Sequence, residues 1–451
     1  MNVRNPRTGE FDYEIFPLSL EELESKIYEL RQAQDEWQNQ TLDFRIETLR
    51  AWKNTLEEQK ELLIEALTID TGRNLETQIE VDFLLNSIDQ WCDLAKIFFE
   101  KPVLGVSSIT SLNKEVQFVP YRVIGIVSPS TFPLFYAVLD TIPALLSGCS
   151  VIVKPSELTP RFTEVLINSF AELPQMIEVL SFTHGDAETV IGLTKLCDKI
   201  CFTGAKNSAK DILNVANESL NPVDLELGGK NIAIVTESAE IERATSAIVW
   251  GCAFNAGQSC NSIESIYVHR NIYHQFLSRL VGKANLLEYT FPNVENGQIG
   301  PIIAEKQVEK INELLADAIN KGAIIKAGGR ECEILGGGNY CRPTVLINVT
   351  PSMKLLKEEH LAPLLPVITF FNADEIAQVN ELSFEDSVAI FAGSNDEALQ
   401  ISEKINVKRL TINDIAINSL LPEVNAERFN KFLKQKTLLI NNQQEKSNWW
   451  Y

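Results

Sequence analysis

The sequence predicts an α/β protein built on parallel sheet, with helices on both faces. Three observations predict it. From Val123 to Val235, short aliphatic runs alternate with helical stretches, the pattern of parallel strands joined by crossover helices. A second alternation starts after Gly228-Gly229. The chain has 451 residues, more than one hydrophobic core serves, so two or three domains are expected.

The elements follow in order. Residues 1–18 read as irregular, with turn signals at Asn5-Pro6 and Thr8-Gly9. Ser19 and Glu22 form a capping box that opens a helix over about 19–37. Further helices are predicted over about 42–70 and 75–100. The last carries the stripe Ile79, Phe83, Leu84, Ile88, Trp91, Leu94, Phe98, which reads as core packing. Ser107–Leu112 and Glu115–Val119 read as edge strands or a hairpin, because their polar alternation suits an exposed or intersubunit ribbon. Strands follow at Val123–Val127, Val151–Lys154, Glu178–Phe182 and Lys199–Phe202. The helices between and after them are predicted over about 134–146, 160–171, 187–194 and 206–217. Ile232–Val235 is a fifth strand. The second unit has helices over about 239–254, 271–285, 303–320 and 395–405. Its strands are Ser265–Val268, Ala323–Lys326, Thr344–Val349, Ala362–Phe370 and Val388–Ala392. Gly336-Gly337-Gly338 is a turn or hairpin tip, and Thr437–Ile440 the last strand. The polar tail Asn441–Tyr451 ends in three aromatic residues, Trp449, Trp450 and Tyr451.

Composition narrows the function. The net charge is -21, spread along the chain, which argues against a nucleic-acid partner. No apolar run is long enough to span a membrane, and the start MNVRNPRTGE has no signal-like apolar region. Eight scattered cysteines read as reduced thiols of a cytoplasmic protein. No metal site is expected. Cys197 and Cys201 have no histidine close in sequence, and four histidines cannot build a histidine-rich centre.

One stretch invites chemistry. Gly251–Ser262 reads GCAFNAGQSCNS, small and polar residues around Cys260. Such a stretch suits a loop that presents a side chain, and a cysteine there, with a carboxylate near, can act as a covalent nucleophile. The alternative is a buried cysteine serving as a small hydrophobe. In parallel sheets ligands bind beyond the C-terminal strand ends. Ser128–Phe132, Lys154–Glu157 and Thr203–Lys206 fall on that edge. The GxGxxG fingerprint is absent, so a dinucleotide would bind without the usual glycine cradle.

Six ordered motifs give the chain a resemblance to the aldehyde dehydrogenase superfamily. They are Pro129–Pro133 (PSTFP), Lys154-Pro155-Ser156-Glu157, Phe202-Thr203-Gly204, Glu226–Lys230 (ELGGK), Gly257–Cys260 (GQSC) and Glu358–Pro363 (EEHLAP). The resemblance runs from Asn5 to about Ile440. It implies a Rossmann-type cofactor domain over 1–103 and 121–227 and a catalytic domain over 228–420. It also implies an oligomerisation ribbon and tail over 104–120 and 433–451, joining a homodimer or homotetramer. It makes Cys260 the nucleophile and Glu226 the general base, with a pKa raised by partial burial. Lys154 and Glu157 match the adenosine-ribose contacts, and an acidic Glu157 favours NAD over NADP. Gly204 lies beside the pyrophosphate; Ala205 replaces a usual serine. Glu359 matches the nicotinamide-ribose contact and Leu361 the apolar residue packed near it, while Ser128 and Leu227 complete the cofactor set. The implied reaction is oxidation of a small-molecule aldehyde to a carboxylic acid through a cysteine thiohemiacetal and thioester, with NAD or NADP as cofactor.

Departures from the family pattern sharpen the question. Thr131 takes the catalytic position of the usual oxyanion-binding asparagine, where its hydroxyl can donate one hydrogen bond; Asp140 stands where a lysine is common, and Ser265 where an arginine is usual. Thr411–Phe432 lacks the glycine-rich segments expected before the last strand. These changes motivate an alternative, an impaired or inactive homologue with a binding or structural role. CoA-dependent acyl transfer is a third reading, weakened by retention of Glu226. For Glu226 and Glu359 themselves, the alternative is a structural role, pairing with lysine or capping a helix.

Overall fold

The computed structural model describes residues 1–100, 103–105, 112–372, 375, 387–416 and 425–441. Two open sheets carry the fold. The first has five parallel strands in the order Leu180–Phe182, Ser150–Lys154, Val123–Val127, Lys199–Gly204, Val223–Leu227. The chain starts in the middle strand, winds to one side, then crosses to the other, as in a dinucleotide-binding half. Its central strands Val123–Val127 and Ser150–Lys154 are buried at every position, because helices cover both faces.

The second sheet has seven strands in the order Ile324–Ala327, Thr344–Ile347, Leu364–Phe370, Ile263–His269, Asn231–Val235, Ser387–Phe391, Arg409–Ile412. Only the edge strand Ile324–Ala327 runs antiparallel. The strands from Val123 to Leu227 make the first sheet, and the next strand, Asn231–Val235, belongs to the second, so ELGGK links the two.

A third, antiparallel sheet pairs Leu112–Pro120 with Leu433–Asn441 along its whole length and with Val103–Gly105 on its other side. This is the predicted ribbon. The strand expected at Ser107–Leu112 lies almost wholly outside the described residues, as does the aromatic tail beyond Asn441.

Several expectations are corrected. The opening residues form a hairpin, Asn2–Arg4 with Phe11–Glu14, around the predicted turn. The helix expected over 42–70 divides at Gln59 into Leu42–Glu58 and Lys60–Thr71, with no glycine or proline at the break. The helix expected over 134–146 divides into Pro133–Leu139 and Thr141–Ser147. Pro143 explains this, since it lacks the amide that would bond back to Leu139. Asp140 is thereby left at the joint. Two strands of the large sheets escaped prediction, Val223–Leu227 and Arg409–Ile412. Each is the edge of its sheet and half-buried throughout, so neither shows an aliphatic run.

The core seats the segment that matters most for the site. Phe429 and Phe432, on the turn Ala426–Phe432, are fully buried. Phe429 meets Trp91 edge-on at 5.5 Å and Phe98 at 5.2 Å, both from the helix Leu75–Phe99. Burying such a ring is worth about 2–3 kcal/mol, so this short 3-10 helix is anchored to the core. All eight cysteines are free. No helix among the described residues is long and apolar enough to cross a membrane.

Candidate active site

Cys260 follows a tight turn. The helix Ile241–Ala253 ends at Phe254, and Asn255, Ala256 and Gly257 take φ values of 53°, 52° and 73°. Three successive left-handed residues are costly except for glycine, so neighbours must hold them. The Asn255 amide donates to the carbonyls of Thr131 (2.8 Å) and Gln258 (2.7 Å). The backbone N–H of Asn255 donates to Glu76 (2.9 Å). Gln258 spans to Pro301 and Ile303. A Cβ on Gly257 would overlap the Ala362-Pro363 backbone, so GQSC and EEHLAP pack directly. Asn231, just after ELGGK, donates to the Cys260 carbonyl at 2.6 Å.

Cys260 is half-buried, whereas burial pushes the thiols of Cys92 (to about 12), Cys149, Cys197, Cys201 and Cys252 upward. It opens on a cleft of about 510 Å³. The edge strands of both sheets line that cleft, bringing Glu226 and Leu227 from one and Arg409 from the other to Cys260. The Tyr136 hydroxyl reaches Cys260 Sγ at 2.9 Å.

Glu226 sits in a dense ionic cluster. Its Oε1 meets Arg428 Nη2 and Lys431 Nζ, each at 2.9 Å. Arg428 Nε also holds Asp140 at 2.6 Å, and Lys431 holds Asp224 at 2.5 Å. Burial works to raise the Glu226 carboxyl, but Arg428 and Lys431 outweigh it and bring it from 4.5 to about 2. The expected rise is therefore reversed. Asp140, Cys201 and Asp224 are close enough to share a cation, and the side chains of Arg428 and Lys431 already supply the positive charge there.

Thr131 is not among the residues lining the cleft. Its carbonyl is fixed by Arg73 (2.6 Å) and Asn255, and Arg73 lies over the Phe132 ring at 4.6 Å.

The remaining predicted residues lie along the C-terminal edge of the first sheet, beside ELGGK and in EEHLAP. Lys154 Nζ pairs with Glu157 at 2.8 Å. Ser128 Oγ is buried with no partner among the described residues. Gly204 ends its strand, and Ala205 starts the helix Lys206–Ser219 with no side-chain cap. A Cβ on Gly228 would overlap the Glu359 carboxylate, so ELGGK and EEHLAP meet there. Lys206, Gly229, Lys230 and Glu359 line a smaller pocket of about 190 Å³. Lys230 is buried on Glu264 (2.8 Å) and bonds the Glu358 carbonyl, fixing that segment. Leu361 offers its carbonyl to Gln307.

Sequence reasoning missed Tyr136, Arg428, Lys431, Asn231 and Asn255. A signal existed for the cations: an aspartate at position 140 in place of a lysine calls for positive charge from elsewhere. None existed for Tyr136, which is one residue of an apolar run.

A dinucleotide-type parallel half, hinged to a second sheet whose loop presents a cysteine to their shared cleft, defines an α/β oxidoreductase of the dehydrogenase type. The chain belongs to the aldehyde dehydrogenase family, whose pattern matches residues 1–422. The solved structure of PutA from Anabaena variabilis is similar over 100% of this chain and 99% of its own, at 41% identity and a TM-score of 0.96. Betaine aldehyde dehydrogenase from Staphylococcus aureus, solved in complex with NAD+, covers 100% of this chain and 93% of its own, at 25% identity and a TM-score of 0.91. The chloroplastic betaine aldehyde dehydrogenase of Amaranthus hypochondriacus is 27% identical over 422 residues, covering 91% of this chain and 84% of its own. The activity is NAD(P)-dependent oxidation of an aldehyde to a carboxylic acid. The impaired-homologue alternative finds no support in these relatives.

Proposed function

We propose that Cys260 is the nucleophile and Glu226 the base of this oxidation, with NAD preferred to NADP. The observation that carries the reading is the shared cleft, in which a half-buried thiol and an ionised carboxylate come from different sheets. Cys260 attacks the aldehyde carbon to give a thiohemiacetal, and loss of hydride leaves a thioester. The nicotinamide, when bound, accepts that hydride. Glu226 then orients and deprotonates the water that releases the acid. Arg428 and Lys431 keep it ionised at all working pH values, at the cost of basicity.

The first sheet's edge fits a dinucleotide. The buried, unpartnered Ser128 Oγ and the uncapped start of the helix Lys206–Ser219 offer polar groups to it, the latter to a pyrophosphate. The notch over Gly228 holds Glu359 for a ribose. Lys154 is already paired with Glu157, and that carboxylate would repel a 2'-phosphate. The domains divide at ELGGK, with the cofactor-edge residues Ser128, Lys154 and Gly204 before it and the Cys260 loop and Glu359 after it. Leu433–Asn441 is an edge strand of its sheet among the described residues, which suits a homodimer or homotetramer. Eight free thiols agree with a reducing compartment such as the cytoplasm.

The test is NAD(P)H formation over a panel of aldehydes. Cys260→Ala should lower it by about ten thousandfold or more; retained turnover would remove Cys260 from the chemistry. Glu157→Gln should narrow the preference for NAD over NADP by about tenfold, and an unchanged ratio would remove Glu157 as its source.

A further inference from the structure

The chamber at Cys260 has lost the side-chain amide expected at position 131, yet it holds a hydroxyl on the sulfur itself. We propose that Tyr136 is a catalytic residue, the hydrogen-bond donor that serves the Cys260 thiolate and then the oxyanion of the thiohemiacetal. This rests on the reading of Cys260 as nucleophile.

The geometry carries it. Tyr136 sits one turn into the helix Pro133–Leu139, and its backbone N–H bonds the Phe132 carbonyl. The ring is buried and packs edge-on against Phe135 at 4.9 Å. That packing aims the hydroxyl at Cys260 Sγ, 2.9 Å away. Thr131 is not among the residues that line the cleft, and its backbone carbonyl is held by Arg73 and Asn255. The charged groups that face Tyr136 are Glu226 and Arg409. Burial pushes the phenol well above its ordinary value, with Cys260 adding to it, so the hydroxyl keeps its proton throughout the working range. A phenol is also a directed donor, since its oxygen lies in the ring plane at the end of a rigid side chain.

The step balances without a redox partner. The thiol proton leaves to solvent through the open cleft, and the Tyr136 O–H donates to the sulfur anion. As the S–C bond forms, the carbonyl π pair moves onto oxygen. The negative charge travels one atom beyond the new bond, and the hydrogen bond follows it from sulfur to oxygen. Tyr136 gives up no proton.

Tyr136→Phe keeps the ring and removes only the donor. Alkylation of Cys260 by iodoacetamide, followed by peptide mapping across pH, should show the thiol pKa rising by about one unit. Saturated turnover should fall about a hundredfold, with NAD affinity unchanged. Thr131→Asn in the otherwise native chain should change turnover little, because the donor is already present. Three results overturn the proposal. The alkylation pKa could fall in Tyr136→Phe, meaning that the hydroxyl accepts from the thiol. Alkylation and turnover could both stay unchanged. Thr131→Asn alone could raise turnover about a hundredfold, meaning that the chamber lacks a donor. The last variant keeps its force even if Tyr136→Phe fails to fold. Cys260→Ala separates the two readings: if it stays active, the nucleophile assignment falls, whereas an inactive Cys260→Ala beside an unaffected Tyr136→Phe removes Tyr136 alone.

Discussion

Cys260 and Glu226 open on the same cleft, yet they are held by opposite means. Around Cys260 most of the named holding groups are neutral dipoles, the Asn231 and Asn255 amides, Gln258 and the Tyr136 hydroxyl, with the Glu76 carboxylate anchoring the Asn255 N–H. Around Glu226 they are ions, with three carboxylates sharing Arg428 and Lys431. Neutral dipoles fix geometry without adding a full charge. Paired ions fix both geometry and charge. The proposed nucleophile is thus held mainly by dipoles, and the proposed base by ions that keep it charged.

Removing the base should have the largest effect. Glu226→Gln leaves attack and hydride loss intact, so rapid mixing should show a burst of about one NAD(P)H per Cys260, followed by turnover lowered about a thousandfold. Absence of the burst, with attack itself slowed, would erase the division of labour. Arg428→Met comes next. It leaves Asp140, Asp224 and Glu226 with Lys431 alone, and denaturant melts should show a loss of about 3 kcal/mol. The acid limb of kcat should move upward, toward the ordinary carboxylate range, as Glu226 becomes able to protonate. An unmoved limb would show that the cluster does not govern the base.

The smallest effect is in the pH dependence of stability. Glu226 is lowered in the folded state, from 4.5 to about 2. Its contribution is therefore complete above 4.5 and lost as pH falls toward 2. The native chain should exceed Glu226→Gln in melting temperature at neutral pH, and the gap should close over that acid window. A gap that persisted there would place the stabilisation elsewhere.

Much of this was legible in the sequence, and the illegible parts share a cause. Central strands such as Val123–Val127 are buried on both faces and declare themselves by aliphatic runs. The two strands that line the cleft, Val223–Leu227 and Arg409–Ile412, are sheet edges that must present charge, so their composition hides them. Motif order located Cys260, Glu226 and the cofactor edge. It could not reveal that Glu226 meets residues 202 and 205 positions further on, because no local pattern encodes such a contact. Asp140 carried the clue, as a charge with no visible partner.

The lateness of Arg428 and Lys431 has a consequence for how the protein is made. A chain that has left the ribosome only as far as Ile412 already contains every strand of both large sheets. It still presents Asp140, Asp224 and Glu226 as facing carboxylates with neither Arg428 nor Lys431 to answer them. The two cations arrive together, on a single turn anchored by Phe429 and Phe432. The carboxylate cluster is therefore completed only after both large sheets have been made, when that turn brings Arg428 and Lys431 to it.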